Sequence, residues 1–233
     1  MNLIISGVQK LTLLDYPGHT ACTVFFSGCN FRCPFCHNAI LVERPNETIR
    51  IPEEEFFSFL NKRKGLLDGV AITGGEPTLN KDLPEFMAKI KELGYAVKLD
   101  SNGTNPEMLK RIIDEKLVDY IAMDIKNSKE KYPITSGVDE RFMPKVEESV
   151  ELLMQGRVDF EFRTTIVKEF HTIEDMVKIS EWIKGDEKYF LQAFKDSGDL
   201  INPDLQGIEY SEYEKYLQAV KPLLPNSALR GVS

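Results

Sequence analysis

Gly28-Cys29-Asn30-Phe31-Arg32-Cys33-Pro34-Phe35-Cys36-His37 places three thiols in one short loop at a C-x3-C-x2-C spacing. Three thiolates can hold three irons of a 4Fe-4S cluster and leave the fourth without a protein ligand, whereas a cluster that only carries electrons is normally closed by four cysteines. An open iron is a place for a small molecule to bind. The alternative is a structural zinc knot completed by Cys22, His19 or His37, although zinc sites usually pair one C-x2-C with a second. Cys22 itself lies in the β-type run Thr20-Ala21-Cys22-Thr23-Val24-Phe25-Phe26. It reads as a core thiol, since free cysteine is among the most buried residue types.

Outward from that loop, after an opening hairpin-like segment, short apolar runs alternate with longer helical patterns, the mark of βα units and a parallel sheet. Strands are expected at 22–27, 70–73, 96–100, 120–124, 160–167 and 189–194. The helices between them have readable ends. Asp82-Leu83-Pro84-Glu85 supplies a cap and a carboxylate before an apolar face that Gly94 stops, Thr104-Asn105-Pro106-Glu107 opens another helix, and Ser211-Glu212-Tyr213-Glu214 opens the last. Pro52 followed by Glu53, Glu54 and Glu55 is a helix start whose acids compensate the dipole. Six βα units are too few to close an eight-stranded barrel, yet a parallel sheet needs both faces covered. The expected fold is therefore α/β, a partial open barrel of six βα units with parallel strands. One domain is expected over residues 1–233, with a core at about 15–195 and a C-terminal helix and tail at 196–233. The turn-rich stretch 126–142 reads as a long surface loop or a mobile rim contact for a partner.

Composition narrows the function classes. The 233 residues carry a net charge of −8, so no basic footprint for nucleic acid or an anionic membrane is present. No run reaches the length of a membrane span, and the N-terminus lacks a signal-peptide pattern. Three cysteines crowded into one loop imply metal-binding thiolates in a reducing compartment, and a cytoplasmic protein is expected.

In parallel βα proteins the chemistry gathers at the C-terminal ends of the strands. The second expected strand ends in Thr73-Gly74-Gly75-Glu76-Pro77, where two glycines let backbone approach a ligand. The third ends in Leu99-Asp100-Ser101-Asn102-Gly103-Thr104 and the fourth in Met123-Asp124-Ile125-Lys126. Taken singly these read as a plain turn, an Asn-Gly turn and a solvated ion pair. Arg163 is a charge inside the strand-like run Phe160-Glu161-Phe162-Arg163-Thr164-Thr165 and needs a partner such as a carboxylate.

Together, the cysteine loop with aromatic Phe35 before the third thiol, then GGEP, DSNG, MDIK and Arg163 in that order, resemble the radical S-adenosylmethionine (SAM) superfamily and, within it, the glycyl-radical-enzyme activating enzymes. The resemblance runs from about residue 7 to 194. It implies a 4Fe-4S cluster on Cys29, Cys33 and Cys36, with SAM chelating the open iron. It further implies that Phe35, Gly74, Gly75, Glu76 and Asn102 line the SAM site, that Asp100, Ser101 and Asp124 lie near the SAM carboxylate and a monovalent cation, and that Lys126 and Arg163 lie close by. Where relatives that act on pyruvate formate-lyase have a histidine after the sixth strand, this chain reads Gln192-Ala193-Phe194-Lys195, which makes Gln192 the candidate there. Leu14-Asp15-Tyr16-Pro17-Gly18 also resembles the activating enzymes, and Asp15 and Tyr16 are the expected partner contacts. Small size and the lack of a cysteine-rich insert before GGEP look most like the activating protein of anaerobic ribonucleoside-triphosphate reductase.

The implied chemistry is that of an oxidoreductase. One-electron cleavage of SAM yields a 5′-deoxyadenosyl radical, which takes hydrogen from a glycine Cα in a partner enzyme, with flavodoxin or ferredoxin as electron donor. Pyruvate formate-lyase is the rival target, and a zinc-stabilised binding module is the rival of a different class. His37 is expected to shape the cluster loop, His19 and His171 to be surface or capping residues, and Trp182 to be core.

Overall fold

The structure, a computed structural model, describes residues 3–185, 188–196 and 198–232. Eight strands form one sheet in simple chain order: β1 (Ile5–Thr12), β2 (Ala21–Phe26), β3 (Gly69–Gly74), β4 (Ala96–Ser101), β5 (Tyr120–Asp124), β6 (Asp159–Ile166), β7 (Lys188–Ala193) and β8 (Ala228–Arg230). β1 pairs antiparallel with β2, and every later pair is parallel. The crossovers carry helices α1 (Ala39–Glu43), α2 (Glu53–Lys62), α3 (Leu83–Glu92), α4 (Pro106–Asp114), α5 (Tyr132–Ser136), α6 (Met143–Leu153), α7 (Ile173–Trp182) and α8 (Tyr210–Val220).

Strand alternation sorts the side chains into two populations. Cys22, Val24, Phe26, Val70, Ile72, Val97, Leu99, Ile121, Met123, Phe162 and Leu191 point to one face and join a single core with Phe56, Leu60, Phe86, Met87, Ile90, Leu109, Ile112, Val150 and Ile179 from the helices. Cys22 is buried there, as the sequence implies. The residues between them, such as Thr73, Lys98, Asp100, Asp124, Glu161, Arg163 and Gln192, are polar and occupy the opposite face. Arg163 on β6 reaches Asp100 on β4 across the intervening β5, so that face is concave.

All six expected strands are present, and the sheet gains two more. β8 is a three-residue strand inside the expected tail, too short to show periodicity, and its backbone joins β7. Helix ends agree in part. Asn105 accepts a hydrogen bond from the Met108 N–H, and the three glutamates fill the first turn of α2, but Asp82 makes no capping bond. The stretch 126–142 is not a plain surface loop. It holds α5 and a 3-10 turn at Glu140–Phe142, and Asn127, Ser128, Tyr132, Thr135 and Ser136 are buried. His171 is likewise buried rather than superficial, because both ring nitrogens serve backbone groups that would otherwise lie unpaired in the interior. Trp182 is half-buried, with its ring near Tyr132 and under the Lys129 ammonium.

Candidate active site

The cysteine loop leaves the end of β2 and is held from three sides. The Gly28 N–H donates to Leu41 O in α1, the Arg32 N–H to Ser136 O in α5, and the Asn202 N–H to Pro34 O. The Arg32 guanidinium turns back onto the carbonyls of Cys29 and Phe31 at 2.8 and 2.7 Å. Phe31 and Phe35 are buried beneath the loop against Tyr132, Phe170 and His171, which fixes where the thiols project. Burial pushes the Cys29 thiol up to about 12 and Cys33 up to about 11, and raises Cys36 as well. A thiolate is therefore costly here unless a metal supplies compensating charge. Among the described residues no three His, Cys, Asp or Glu side chains form a group able to hold a single metal ion. A cluster asks something different of the loop, one iron per thiolate.

The Gly74-Gly75 turn at the end of β3 lies directly against the start of this loop. Gly75 N–H donates to Phe26 O and Glu76 N–H to Gly28 O, both at 2.8 Å. A Cβ on Gly75 would stand 2.0 Å from Gly28 O, so only glycine allows the approach. Glu76, buried behind the turn, accepts from the Thr78 N–H and hydroxyl, the Ser101 hydroxyl at 2.9 Å and the Asn102 N–H at 2.6 Å. Burial raises its pKa against the pull of these donors. Asn102 in turn donates to Asn30 at 2.9 Å. Glu76, Ser101 and Asn102 thus bind the ends of β3 and β4 to the cysteine loop.

On the concave face the charges interlock. Lys98 pairs with Asp100, the Arg163 guanidinium lies 3.3 Å from Asp100 and 2.9 Å from Asp124, and Lys126 Nζ lies 2.9 Å from Asp124. Burial alone would lift the Asp124 carboxyl, but Arg163 and Lys126 outweigh it and hold it well below the usual range. Burial likewise works against the Lys126 ammonium, and Asp124 more than restores it. Three cations share two carboxylates, which leaves positive charge for an anionic ligand.

One cavity of about 210 Å³ collects these parts. Cys29, Cys33, Cys36, Phe35, Gly74, Gly75, Glu76, Asp100, Ser101, Asn102, Asp124, Lys126, Arg163 and Gln192 all line it, so every cluster and SAM candidate from the sequence meets at one place. Thr165 also lines it without having been singled out as a ligand, and so does His37, which the sequence offered only to a zinc knot. Thr165 follows Arg163 by two residues on β6, and strand parity was the signal that could have found it. Lys98, two residues before Asp100, carried the same signal.

Asp15 and Tyr16 are a correction. Tyr16 is only 2% exposed, and its ring packs at the N-terminal ends of the strands, against Ala21, Tyr120 and the backbone of Gly69. Asp15 is half-buried and accepts a 2.5 Å bond from the Thr23 hydroxyl in β2. Tyr16 therefore has no exposed surface to offer a partner, and the Asp15 carboxylate is engaged within the chain. Sequence order placed them near the cysteine loop, and only the fold shows which end of the barrel they close.

The model of the Radical SAM superfamily matches residues 23–183. The chain is a radical SAM protein. Within that superfamily it belongs with the glycyl-radical-enzyme activating enzymes. It is 32% identical, over the whole of this chain and 98% of the relative, to a Methanocaldococcus jannaschii protein provisionally named glycyl-radical enzyme activating enzyme MJ1227. It is also 27% identical to the pyruvate formate-lyase-activating enzyme of Clostridium pasteurianum, across 91% of this chain and 92% of that one. Streptococcus suis SuiB bound to S-adenosylmethionine shares the fold, with a TM-score of 0.68 at 14% identity. That match covers 87% of this chain and 48% of SuiB, so the radical SAM chain spans about half of that neighbour.

The family implies a 4Fe-4S cluster and SAM, and the residues present fit both. Three thiols stand in one loop beside a glycine turn with room for a backbone contact, and the charged face has cationic excess for a carboxylate. A monovalent cation fits less well. Asp100 and Asp124 are already paired with Lys98, Lys126 and Arg163. Among the described residues no helix is long and apolar enough to cross a membrane.

Proposed function

We propose that this activating enzyme binds SAM in the cavity between the cysteine loop and the Arg163 cluster, and forms a glycyl radical on anaerobic ribonucleoside-triphosphate reductase in the cytoplasm. The observation that carries the chemistry is the convergence of all fourteen cluster and SAM candidates on one cavity.

In this reading Cys29, Cys33 and Cys36 hold three irons. When bound, the cluster would supply one electron for reductive cleavage of SAM, and SAM would supply the carbon that takes hydrogen from the partner's glycine. The protein's part is positioning. Gly74 and Gly75 offer backbone to the amino group of SAM, while Arg163 and Lys126 face its carboxylate with charge held by Asp100 and Asp124. Glu76, Ser101 and Asn102 fix the distance between that turn and the cluster loop through the bonds described above. Gln192 borders the same cavity from β7. Phe31, Phe35 and Tyr132 exclude water beneath the loop, which protects a reactive radical from side reactions. Beyond the loop the sequence has only the buried Cys22, so a separate donor such as flavodoxin or ferredoxin brings the electron.

The reductase is favoured as target by the short segment between the cysteine loop and GGEP, which holds α1, α2 and β3 and no cysteine. A second reading, activation of pyruvate formate-lyase, draws support from the relatives named for that enzyme. Electron paramagnetic resonance separates them. The reduced protein with SAM should raise a glycyl doublet on the reductase. A doublet on pyruvate formate-lyase and none on the reductase moves the target to the second reading, and no SAM cleavage at all defeats the chemistry.

A further inference from the structure

The C-terminal strand places a cation into the interior of the barrel. Arg230 of β8 pairs with Gln192 of β7 in register, and its guanidinium crosses the Phe190 ring at 3.7 Å to reach Glu161 on β6. Its two terminal nitrogens donate to the two Glu161 carboxylate oxygens at 2.6 and 3.0 Å, and the Tyr120 hydroxyl donates a third bond at 2.8 Å. Glu161 is 0% exposed. It is the residue two before Arg163 on the same strand, on the same concave face, and each group lies within the electrostatic reach of the other.

Glu161 is thus a buried carboxylate adjacent to the arginine that faces the cavity. The ion-paired set on the concave face comprises Lys98, Lys126, Arg163 and Arg230 against Asp100, Asp124 and Glu161. The excess of one positive charge depends on Arg230. Without it Glu161 keeps, among the described residues, only the hydrogen bond from the neutral Tyr120 hydroxyl, its charge cancels the excess, and Arg163 becomes the available counterion. A buried carboxylate that loses its partner draws strongly on the next cation.

We propose that Arg230 is a positioning residue for SAM: by engaging Glu161 with both guanidinium nitrogens, it leaves Arg163 free to serve Asp100, Asp124 and the ligand carboxylate. The role passes through Glu161 and not through contact with the ligand. It rests on the reading of the cavity as the SAM site, and the test keeps the two apart.

The experiment measures SAM dissociation constants and iron content on anaerobically reconstituted full-length enzyme. Arg230→Met should weaken SAM binding by roughly tenfold, a size usual for coupling within one charge network, with iron content near wild type. Arg230→Met combined with Glu161→Gln should recover affinity to within about threefold of wild type, because the uncompensated charge is gone. A purely structural role for β8 predicts no such rescue, so a double variant as weak as the single one overturns the proposal. So does Arg230→Met binding SAM like wild type. Arg163→Met is the control for the site. If it loses affinity while Arg230→Met does not, only the Arg230 role falls; if it binds SAM like wild type, the cavity assignment falls and takes this role with it. Should Arg230→Met fail to fold, the double variant and Arg230→Lys, which keeps a cation against Glu161, decide the matter: both must bind SAM near wild type.

Discussion

Gly75 and the three loop cysteines show how much a single atom decides in this site. Adding a methyl at Gly75 puts a Cβ 2.0 Å from Gly28 O, so the GGEP turn and the cysteine loop must part. Gly75→Ala should therefore lower SAM affinity by about tenfold or more, with loss of roughly 1–3 kcal/mol of stability. Isothermal titration and thermal melting check it, and wild-type values for both would show that the contact is dispensable. The thiols make a sharper prediction. Cys29→Ala, Cys33→Ala or Cys36→Ala should abolish retention of four irons and four sulfides, because three thiolates are the fewest that hold such a cluster here. Cys22→Ala should keep the iron and cost only about 1–2 kcal/mol as a small cavity beside the core. Metal analysis of protein prepared without oxygen decides between this and the zinc knot, since stoichiometric zinc and no retained iron would falsify the cluster assignment. These residues were legible in the sequence because their spacing is itself the chemistry. Lys98, Glu161 and Arg230 were not, since each is only one charge in a strand, and its partner lies on another strand whose register the sequence does not announce.

At the level of elements, the segment after β5 shows what pattern reading misses. Turn residues at 126–142 signal a loop, yet α5 turns inward and its Ser136 carbonyl receives the Arg32 N–H of the cysteine loop. Gly137 ends α5 at φ +66, and any side chain there would lie 2.3 Å from Arg32 O. His171 secures the same region. Its Nδ1 lies 3.0 Å from the Val167 N–H and 3.2 Å from Val167 O, and its Nε2 lies 2.8 Å from Lys126 O, so a neutral ring with Nδ1 accepting and Nε2 donating satisfies both backbone partners. Burial lowers its pKa below the ordinary value. The native state then binds fewer protons than the unfolded chain, so stability from this group is present above about pH 6.5 and is lost as the pH falls below it. Between pH 7 and 5 the stability of wild type should fall by up to about 1.4 kcal/mol per pH unit from this one proton. His171→Gln should start lower at pH 7.5, by roughly 1–2 kcal/mol for the lost hydrogen bonding, but decline less steeply. Denaturant titrations at several pH values test this, and parallel declines would remove His171 as the cause. The lone histidine in a turn-like stretch gave no hint of this, because its two backbone partners come from 167 and 126.

Across the whole molecule, the sheet order carries more of the function than any motif. Parallel strands in chain order put the ends of β2 to β7 on one side, which is why six separate sequence signals meet at a single cavity. The same order put Tyr16 at the far end, away from the cavity. The cysteine loop is bracketed by α1, whose Leu41 carbonyl receives the Gly28 N–H, and by α5. Each of these short helices presents one isoleucine to solvent, Ile40 at 37% and Ile134 at 68% exposure. Single exposed apolar residues are ordinary, but two on the helices that hold the cysteine loop are contacts available to a protein substrate that must bring its glycine close to that loop. Replacing both with aspartate leaves the cluster ligands and the charged face unchanged. Glycyl radical formation should fall by about tenfold or more, while uncoupled SAM cleavage by the reduced enzyme stays within about twofold. Radical yield by electron paramagnetic resonance and 5′-deoxyadenosine yield by chromatography, measured on the same samples, give the two numbers. If both fall together, α1 and α5 support the site instead of docking the partner. If neither falls, docking lies on another face, and the open edges at β1 and β8 become the next surfaces to probe.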